Sequence, residues 1–288
     1  MPAALIGARW LHEAALLVLF GAAAFPLYAG ADLPAGAAGF AAWRRRRLLL
    51  LAGLALIGGL AWFAFTAAGM SGDPADAASP AAWAATFADT EFGKLWAVRL
   101  GLILVLFAAA WLRASVPRET ALAAVALGSL AWTGHGDLPE GALGAAHRIG
   151  DVIHLLAAGL WLGALWALGW LAWRRPQAPE TERALRRFSG AGQLAVALLI
   201  LTGLLSAYAI LGDPAKLLTT TYGRLLDVKL AAFAGMLALA VLNRFVLVPR
   251  LAAGGGLGRL RWQIAGEQAL GVVIVAIVAM IGTIDPGS

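Results

Sequence analysis

The chain has 288 residues, of which 61% are apolar and 13% are charged, whereas soluble domains carry about 25% charged residues. This composition excludes an ordinary water-soluble domain and a disordered chain, and it predicts an all-α polytopic protein of the lipid bilayer. The absence of Cys excludes a disulfide framework, a thiolate metal site and a catalytic cysteine.

Eight segments are apolar enough to be transmembrane helices. A helix needs roughly 20 mainly apolar residues to cross the hydrocarbon of a bilayer. The fourth segment is short and the fifth is long. Before the third, Ser79 and Pro80 predict the start of a short external helix through Trp83 and Phe87. The predicted spans are 10–30, 48–70, 93–113, 119–135, 146–173, 189–211, 225–249 and 265–284.

The basic residues orient this predicted bundle. With the N-terminus outside, most of the 22 Lys and Arg, including the run at 44–47, fall in cytoplasmic loops. The pattern therefore predicts that both termini lie outside. It also explains the net charge of +6 without nucleic acid, because the basic residues are spread over four short loops.

Two segments that open the third and seventh spans match each other without a gap. They read TEFGKLWAVRL at 90–100 and TTYGRLLDVKL at 220–230. If the spans repeat in sets of four, the first should match the fifth and the fourth should match the eighth.

Both further matches are found. WLHEAALLVLFGA from residue 10 aligns with VIHLLAAGLWLGA from residue 152, which pairs His12 with His154; AWTGHGD from residue 131 aligns with AMIGTID from residue 279. We therefore predict two parallel four-helix repeats, a diverged one at 1–140 and a second at 141–288, related by an axis along the membrane normal.

The four histidines all fall toward the predicted outer side, at His12, His135, His147 and His154. His147, Asp151 and His154 follow the spacing i, i+4 and i+7, which places them on one helix face. Imidazole suits Cu, Zn, Fe and Ni, and a carboxylate serves as a ligand or orients a His ligand. Two alternatives remain open: His147 as a solvated interfacial residue, and His135 as a turn residue. Glu13, beside His12, is expected to pair with Arg9 or Arg99.

Three internal methionines add candidate soft ligands. Met70 and Met280 lie near the outer ends of their predicted spans, and Met236 lies near the middle of the seventh. Thioethers favour Cu(I), although the usual role of Met in a membrane helix is packing.

The segments HRIGDVIHLLAAGLWLGAL at 147–165 and TYGRLLDVKLAAFAGMLALAVLNRFVLVPRL at 221–251 resemble the CopD/PcoD family of copper-resistance inner-membrane proteins. The resemblance implies an eight-helix bacterial inner-membrane protein that takes periplasmic copper toward the cytoplasm, with a separate CopC-like periplasmic partner. It also implies supporting roles for the polar residues Tyr222, Lys229 and Asn243.

Three hypotheses follow. The favoured one is a copper carrier, not an enzyme, in which His12 and His154 bind the ion near the repeat axis and His147, Asp151 and His135 form an entry site. The second is a redox protein with haem b held by His12 and His154. The third is a copper-binding sensor or assembly protein without transport. A homo-oligomer is left open by the sequence.

Overall fold

A computed structural model describes residues 2–29, 38–133, 141–174, 179–211, 213, 215–252 and 256–285. These residues form an all-helical bundle with no strand among them, as predicted. Two 3₁₀ turns, Pro74–Ala78 and Ser129–Trp132, and a π-helical turn, Asn243–Leu247, interrupt the α-helices. The α-helices are α1 (Pro2–Ala29), α2 (Ala38–Ser71), α3 (Pro80–Asp89), α4 (Glu91–Trp111), α5 (Val116–Gly128), α6 (Ala142–Arg174), α7 (Pro179–Leu211), α8 (Lys216–Thr219), α9 (Thr221–Leu242), α10 (Val248–Ala252) and α11 (Leu257–Ile281).

Seven helical segments in the described part of the chain are long and apolar enough to cross a membrane. They lie in α1, α2, α4, α6, α7, α9 with its continuation into α10, and α11. The predicted fourth span, 119–135, corresponds to α5 and the 3₁₀ turn that follows it. Together these measure about 27 Å, slightly less than the roughly 30 Å of bilayer hydrocarbon. The count of eight spans therefore stays a prediction.

Helix α1 lies at the centre of the bundle, where it packs against α2, α5, α6, α7 and α11. It meets α6 at a pair of glycines. A methyl group added at Gly21 would lie 2.6 Å from the Cα atom of Gly163, and one added at Gly163 would lie 2.5 Å from the Cα atom of Gly21. The two backbones approach so closely that only glycine fits at either position.

The first and last membrane helices meet at one end of the bundle. A methyl group added at Gly282, just after α11, would collide with the guanidinium of Arg9 in α1. The N-terminal part of α1 and the C-terminal end of α11 therefore lie side by side. We call this the outer end, following the predicted topology.

The short helix predicted to begin after Ser79 is present as α3. The hydroxyl of Ser79 accepts a hydrogen bond from the backbone N–H of Ala82 at 3.3 Å and so caps the helix. On the apolar side of α3, Phe87 stacks on Phe63 of α2 with ring centroids 4.0 Å apart. The contact holds α3 against the outer part of the bundle.

Helices α4 and α9 begin with the same cap. The hydroxyls of Thr90 and Thr220 each accept a hydrogen bond, at 2.9 Å, from the backbone N–H of the glycine three residues later, Gly93 or Gly223. Each hydroxyl also donates to a carbonyl oxygen four residues before it, at 2.7 and 2.8 Å. The two segments that match in sequence therefore match in their hydrogen bonds.

Candidate functional site

His12 is completely buried in α1, and its hydrogen bonding defines which ring nitrogen carries the proton. Nδ1 lies 2.7 Å from the carbonyl oxygen of Ala55 in α2. Because a carbonyl can only accept, Nδ1 carries the hydrogen and Nε2 presents a lone pair. Nε2 has no hydrogen-bond partner among the described residues.

Two tryptophans and an arginine surround His12. Its ring lies 5.8 Å from the ring of Trp62 and 5.2 Å from that of Trp96. Arg99, on α4, lies within electrostatic reach of the imidazole. Its Nε and Nη2 donate to the hydroxyl and carbonyl oxygens of Ser129 at 2.8 and 2.5 Å. His12 therefore sits in an aromatic cage with a cation beside it.

Glu13 is also buried, and it forms one of the two predicted pairs. Nη2 of Arg9 lies 3.5 Å from Oε1 of Glu13, while Oε2 has no partner in the described structure. The guanidinium of Arg9 also lies over the ring of Trp62, 4.3 Å from its centroid. The carboxylate offsets part of the positive charge that the two arginines bring to this end of the bundle.

His154 repeats the tautomer of His12. Its Nδ1 lies 2.8 Å from the hydroxyl oxygen of Thr202 in α7. That hydroxyl already donates its hydrogen to the carbonyl of Leu198 at 2.6 Å, so it accepts from the imidazole. Nδ1 is therefore the protonated nitrogen, and Nε2 carries the lone pair. Lys229, in α9, lies within electrostatic reach of the ring.

His147 and Asp151 form a pair further out on α6. Nε2 of His147 lies 3.3 Å from Oδ2 of Asp151, and the hydroxyl of Ser206 donates to Oδ1 at 3.1 Å. Tyr222 and Lys229 of α9 both lie within electrostatic reach of this carboxylate. The predicted polar stripe on α6 therefore faces polar residues of α7 and α9.

The structure does not join the deep histidines in one cluster. Within the described ranges, no three His, Asp or Glu side chains come together to hold a metal ion. His12 contacts α2 and α4, His154 contacts α7, and no hydrogen bond or ring contact links the two. His135 lies outside the described residues.

The methionines occupy two kinds of environment. Met70 and Met280 are 55% and 39% exposed at the outer ends of α2 and α11. Met236 is buried in an apolar cluster with Trp161 and Leu199. Its contacts are those of a packing residue.

Two buried carboxyl groups were missed by the sequence analysis. Glu119, at the start of α5, accepts hydrogen bonds from both terminal nitrogens of Arg44. Glu267, in α11, accepts one from the side-chain amide of Asn243 and lies within hydrogen-bonding reach of Trp161. Both could have been found by extending the ungapped match between the fourth and eighth spans, because it aligns ETAL from Glu119 with EQAL from Glu267.

Comparisons with known proteins identify the family. Residues 1–145 match the family described as "Copper resistance protein D-like, N-terminal domain", and residues 182–281 match "Copper resistance protein D". Over 308 aligned residues the chain is 33% identical to copper resistance protein D of Pseudomonas syringae pv. tomato, with 98% of this chain and 96% of the relative covered. The chain belongs to the copper resistance protein D family.

Two further relatives extend this finding. The chain is 31% identical to the inner membrane protein YebZ of Escherichia coli K12, with 98% of each chain covered. It is also 31% identical to the copper transport protein CutJ of Bacillus subtilis, over 45% of this chain and 24% of that protein. No solved structure matches. The predicted resemblance is confirmed, and this member of the copper resistance protein D family is a copper-related, multi-pass inner-membrane protein.

Proposed function

We propose that this protein binds copper on the periplasmic side of the inner membrane and moves it toward the cytoplasm. One observation carries the proposal: each deep histidine donates its Nδ1 hydrogen to a fixed oxygen and keeps Nε2 free inside an apolar bundle. An idle imidazole is costly in a membrane helix, and this arrangement is typical of a metal-binding histidine whose tautomer is held by a neighbour.

The second half of the chain supplies the entry path. Copper first binds at the outer pair of His147 and Asp151, with His135 as a further ligand. It then passes to Nε2 of His154, about 10 Å from His147 along α6. Lys229 limits how strongly a cation is held there, because its charge repels the ion, and this repulsion favours onward movement.

His12 is the equivalent copper-binding residue in the first half. It has the same tautomer and a neighbouring cation, Arg99, at the position that aligns with Lys229. Copper therefore binds one deep histidine in each half. His12 and His154 have different neighbours, which favours two binding sites over one shared site. The histidine path accepts Cu(II), whereas the exposed thioethers of Met70 and Met280 hold Cu(I) at the outer surface, apart from this path.

The two halves are repeats of one ancestral unit, 1–140 and 141–288. The shared caps of α4 and α9 support this proposal, as does the contact between the aligned glycines Gly21 and Gly163, since equivalent residues meet at a twofold axis. The proximity of Arg9 and Gly282 supports an even number of crossings. The distribution of Lys and Arg then favours periplasmic termini. A separate CopC-like periplasmic protein delivers the copper.

Metal content of the purified protein tests the binding step. We expect copper to fall by about one equivalent in His154→Ala and in His12→Ala, and to fall further in the double variant. The matched control is Glu182→Gln, which removes an exposed carboxylate paired with Arg186 at the other end of α7. Unchanged copper in both single variants would remove the two histidines from the copper site.

A further inference from the structure

Glu267 is a buried carboxyl group that the copper path described so far does not use. It is 2% exposed and lies beside Trp161, which is two turns beyond His154 on α6, or about 10 Å further from the outer end. The side-chain amide of Asn243, in the π-helical turn, donates to its Oε1. Trp161 and Asn243 are both uncharged hydrogen-bond donors, so the Glu267 carboxyl accepts from two neutral groups.

No cation neutralises Glu267 among the described residues. Arg244 lies in the same π-helical turn as Asn243, but its Nη1 donates to the carbonyl and hydroxyl oxygens of Ser189 at 3.1 and 2.5 Å. Arg261, on α11 itself, donates to the carbonyl of Ala172. Arg9 of α1 lies beside Gly282, at the other end of α11. An ionised carboxylate without a counter-ion is costly in the bundle interior, so the proton stays on Glu267 at rest.

The aligned residue in the first half provides an internal comparison. Glu119 is 3% exposed, but both terminal nitrogens of Arg44 bind one of its oxygens. Its charge is therefore compensated by a guanidinium, whereas the second half offers the neutral amide of Asn243. The carboxyl group at the aligned position is therefore held in an ion pair in the first half, whereas its hydrogen-bond partners in the second half are uncharged.

Glu267 also faces a cavity of about 390 Å³ between α7 and α9. Ser189, Gln193, Asn243 and Arg244 line the same space, and most of its other lining residues are apolar. The Oδ1 atom of Asn243 is buried and has no donor within the described structure. Glu267 and Asn243 therefore bring a carboxyl and an amide group to the wall of this cavity, and π-helical turns are often found at functional sites.

We propose that Glu267 is a proton-exchanging cation site: Cu²⁺ entering the cavity binds the Glu267 carboxylate and Oδ1 of Asn243 and displaces the carboxyl proton. For each ion bound, the O–H bond of Glu267 breaks and its proton passes to solvent, while two copper–oxygen bonds form, one to each side chain, with no change of oxidation state. Oxygen ligands suit the divalent ion better than Cu⁺, and Cu²⁺ binds such ligands most strongly among first-row divalent ions. The inference rests on the proposed function for the supply of copper from His154.

Infrared difference spectroscopy of the purified, full-length protein tests the exchange directly. At neutral pH we expect a protonated-carboxyl band that is lost when copper(II) chloride is added. Glu267→Gln should remove the band and the copper response. The matched control is the double variant Arg44→Met/Glu119→Gln, which removes the aligned carboxyl together with its partner and should keep both.

Asn243→Ala separates proton storage from copper binding. We expect it to keep the carboxyl band but to need about tenfold more copper to lose it, because one ligand is missing. It also tests the site should Glu267→Gln yield no folded protein. A wild-type protein without the band, a band that persists in Glu267→Gln, or a band that copper leaves unchanged would overturn the inference. Loss of copper flux with a normal infrared response would instead overturn transport and leave this site in place.

Discussion

At the scale of single residues, the proposed copper binding depends on the groups that hydrogen-bond to the histidines. Thr202 accepts the Nδ1 hydrogen of His154 only because its own hydrogen goes to Leu198. Thr202 and Leu198 of α7 therefore fix the tautomer of His154 through uncharged groups alone. Ala55 does the same for His12 through a backbone carbonyl, which no side-chain substitution removes.

The Thr202 hydroxyl gives a direct prediction. Thr202→Val keeps the shape of the side chain but removes the acceptor, so Nδ1 loses its partner and the ring loses its fixed orientation. We expect copper affinity to fall about 10- to 100-fold, measured by competition with a chelator, whereas Thr202→Ser should bind as the wild type does. Equal affinity in wild type and Thr202→Val would show that the tautomer does not matter.

The buried ion pair between Arg44 and Glu119 gives a prediction about stability. Glu119→Gln leaves the guanidinium buried without its counter-charge, and we expect unfolding in detergent to become easier by about 3–5 kcal/mol. Glu182→Gln breaks an exposed pair and should change the free energy of unfolding by less than about 1 kcal/mol. Equal effects of the two substitutions would mean that burial does not strengthen the first pair.

At the scale of helices, the contact between α1 and α6 depends on two small residues. Gly21→Ala would place its methyl group 2.6 Å from the Cα atom of Gly163, so the helices must move apart along their most buried faces. We expect a cost of about 1–3 kcal/mol and a lower Tm. In Gly53→Ala the methyl group meets no atom within 4 Å, so this control should keep or raise the Tm. A similar Tm in both variants would contradict the close packing.

Apolar windows and caps predicted most of the helices, since these signals lie within one segment. The helix that begins after Ser79 was predicted from its cap. The polar stripe on α6 was predicted from the spacing of His147, Asp151 and His154. The predicted fourth span contains a 3₁₀ turn, Ser129–Trp132, which an apolar window cannot distinguish from an α-helix, and Arg99 donates a hydrogen bond to Ser129 there. Pairs such as Asn243 with Glu267 join helices that no local spacing connects, so their contact could not be predicted. The hydrogen bonds of His12 to Ala55 and of His154 to Thr202 could not be predicted for the same reason.

At the scale of the whole molecule, the proposed topology is testable because the natural chain has no cysteine. Single-cysteine variants Ala3→Cys and Ser288→Cys should react with a membrane-impermeant maleimide on intact spheroplasts. Arg46→Cys, in the basic run assigned to the cytoplasm, should react only after permeabilisation. Labelling of Ala3→Cys and Ser288→Cys from opposite sides would contradict the even number of crossings.

Copper flux through reconstituted vesicles tests the central claim most directly. The full-length protein is inserted in vesicles that hold a copper-sensitive dye, and copper is added outside. We predict a flux that protein-free vesicles lack, lost in His154→Ala and kept in Glu182→Gln, since only the first removes the free Nε2 atom. A wild-type flux that His154→Ala leaves unchanged, or no flux from a wild-type protein that binds copper normally, would contradict the account.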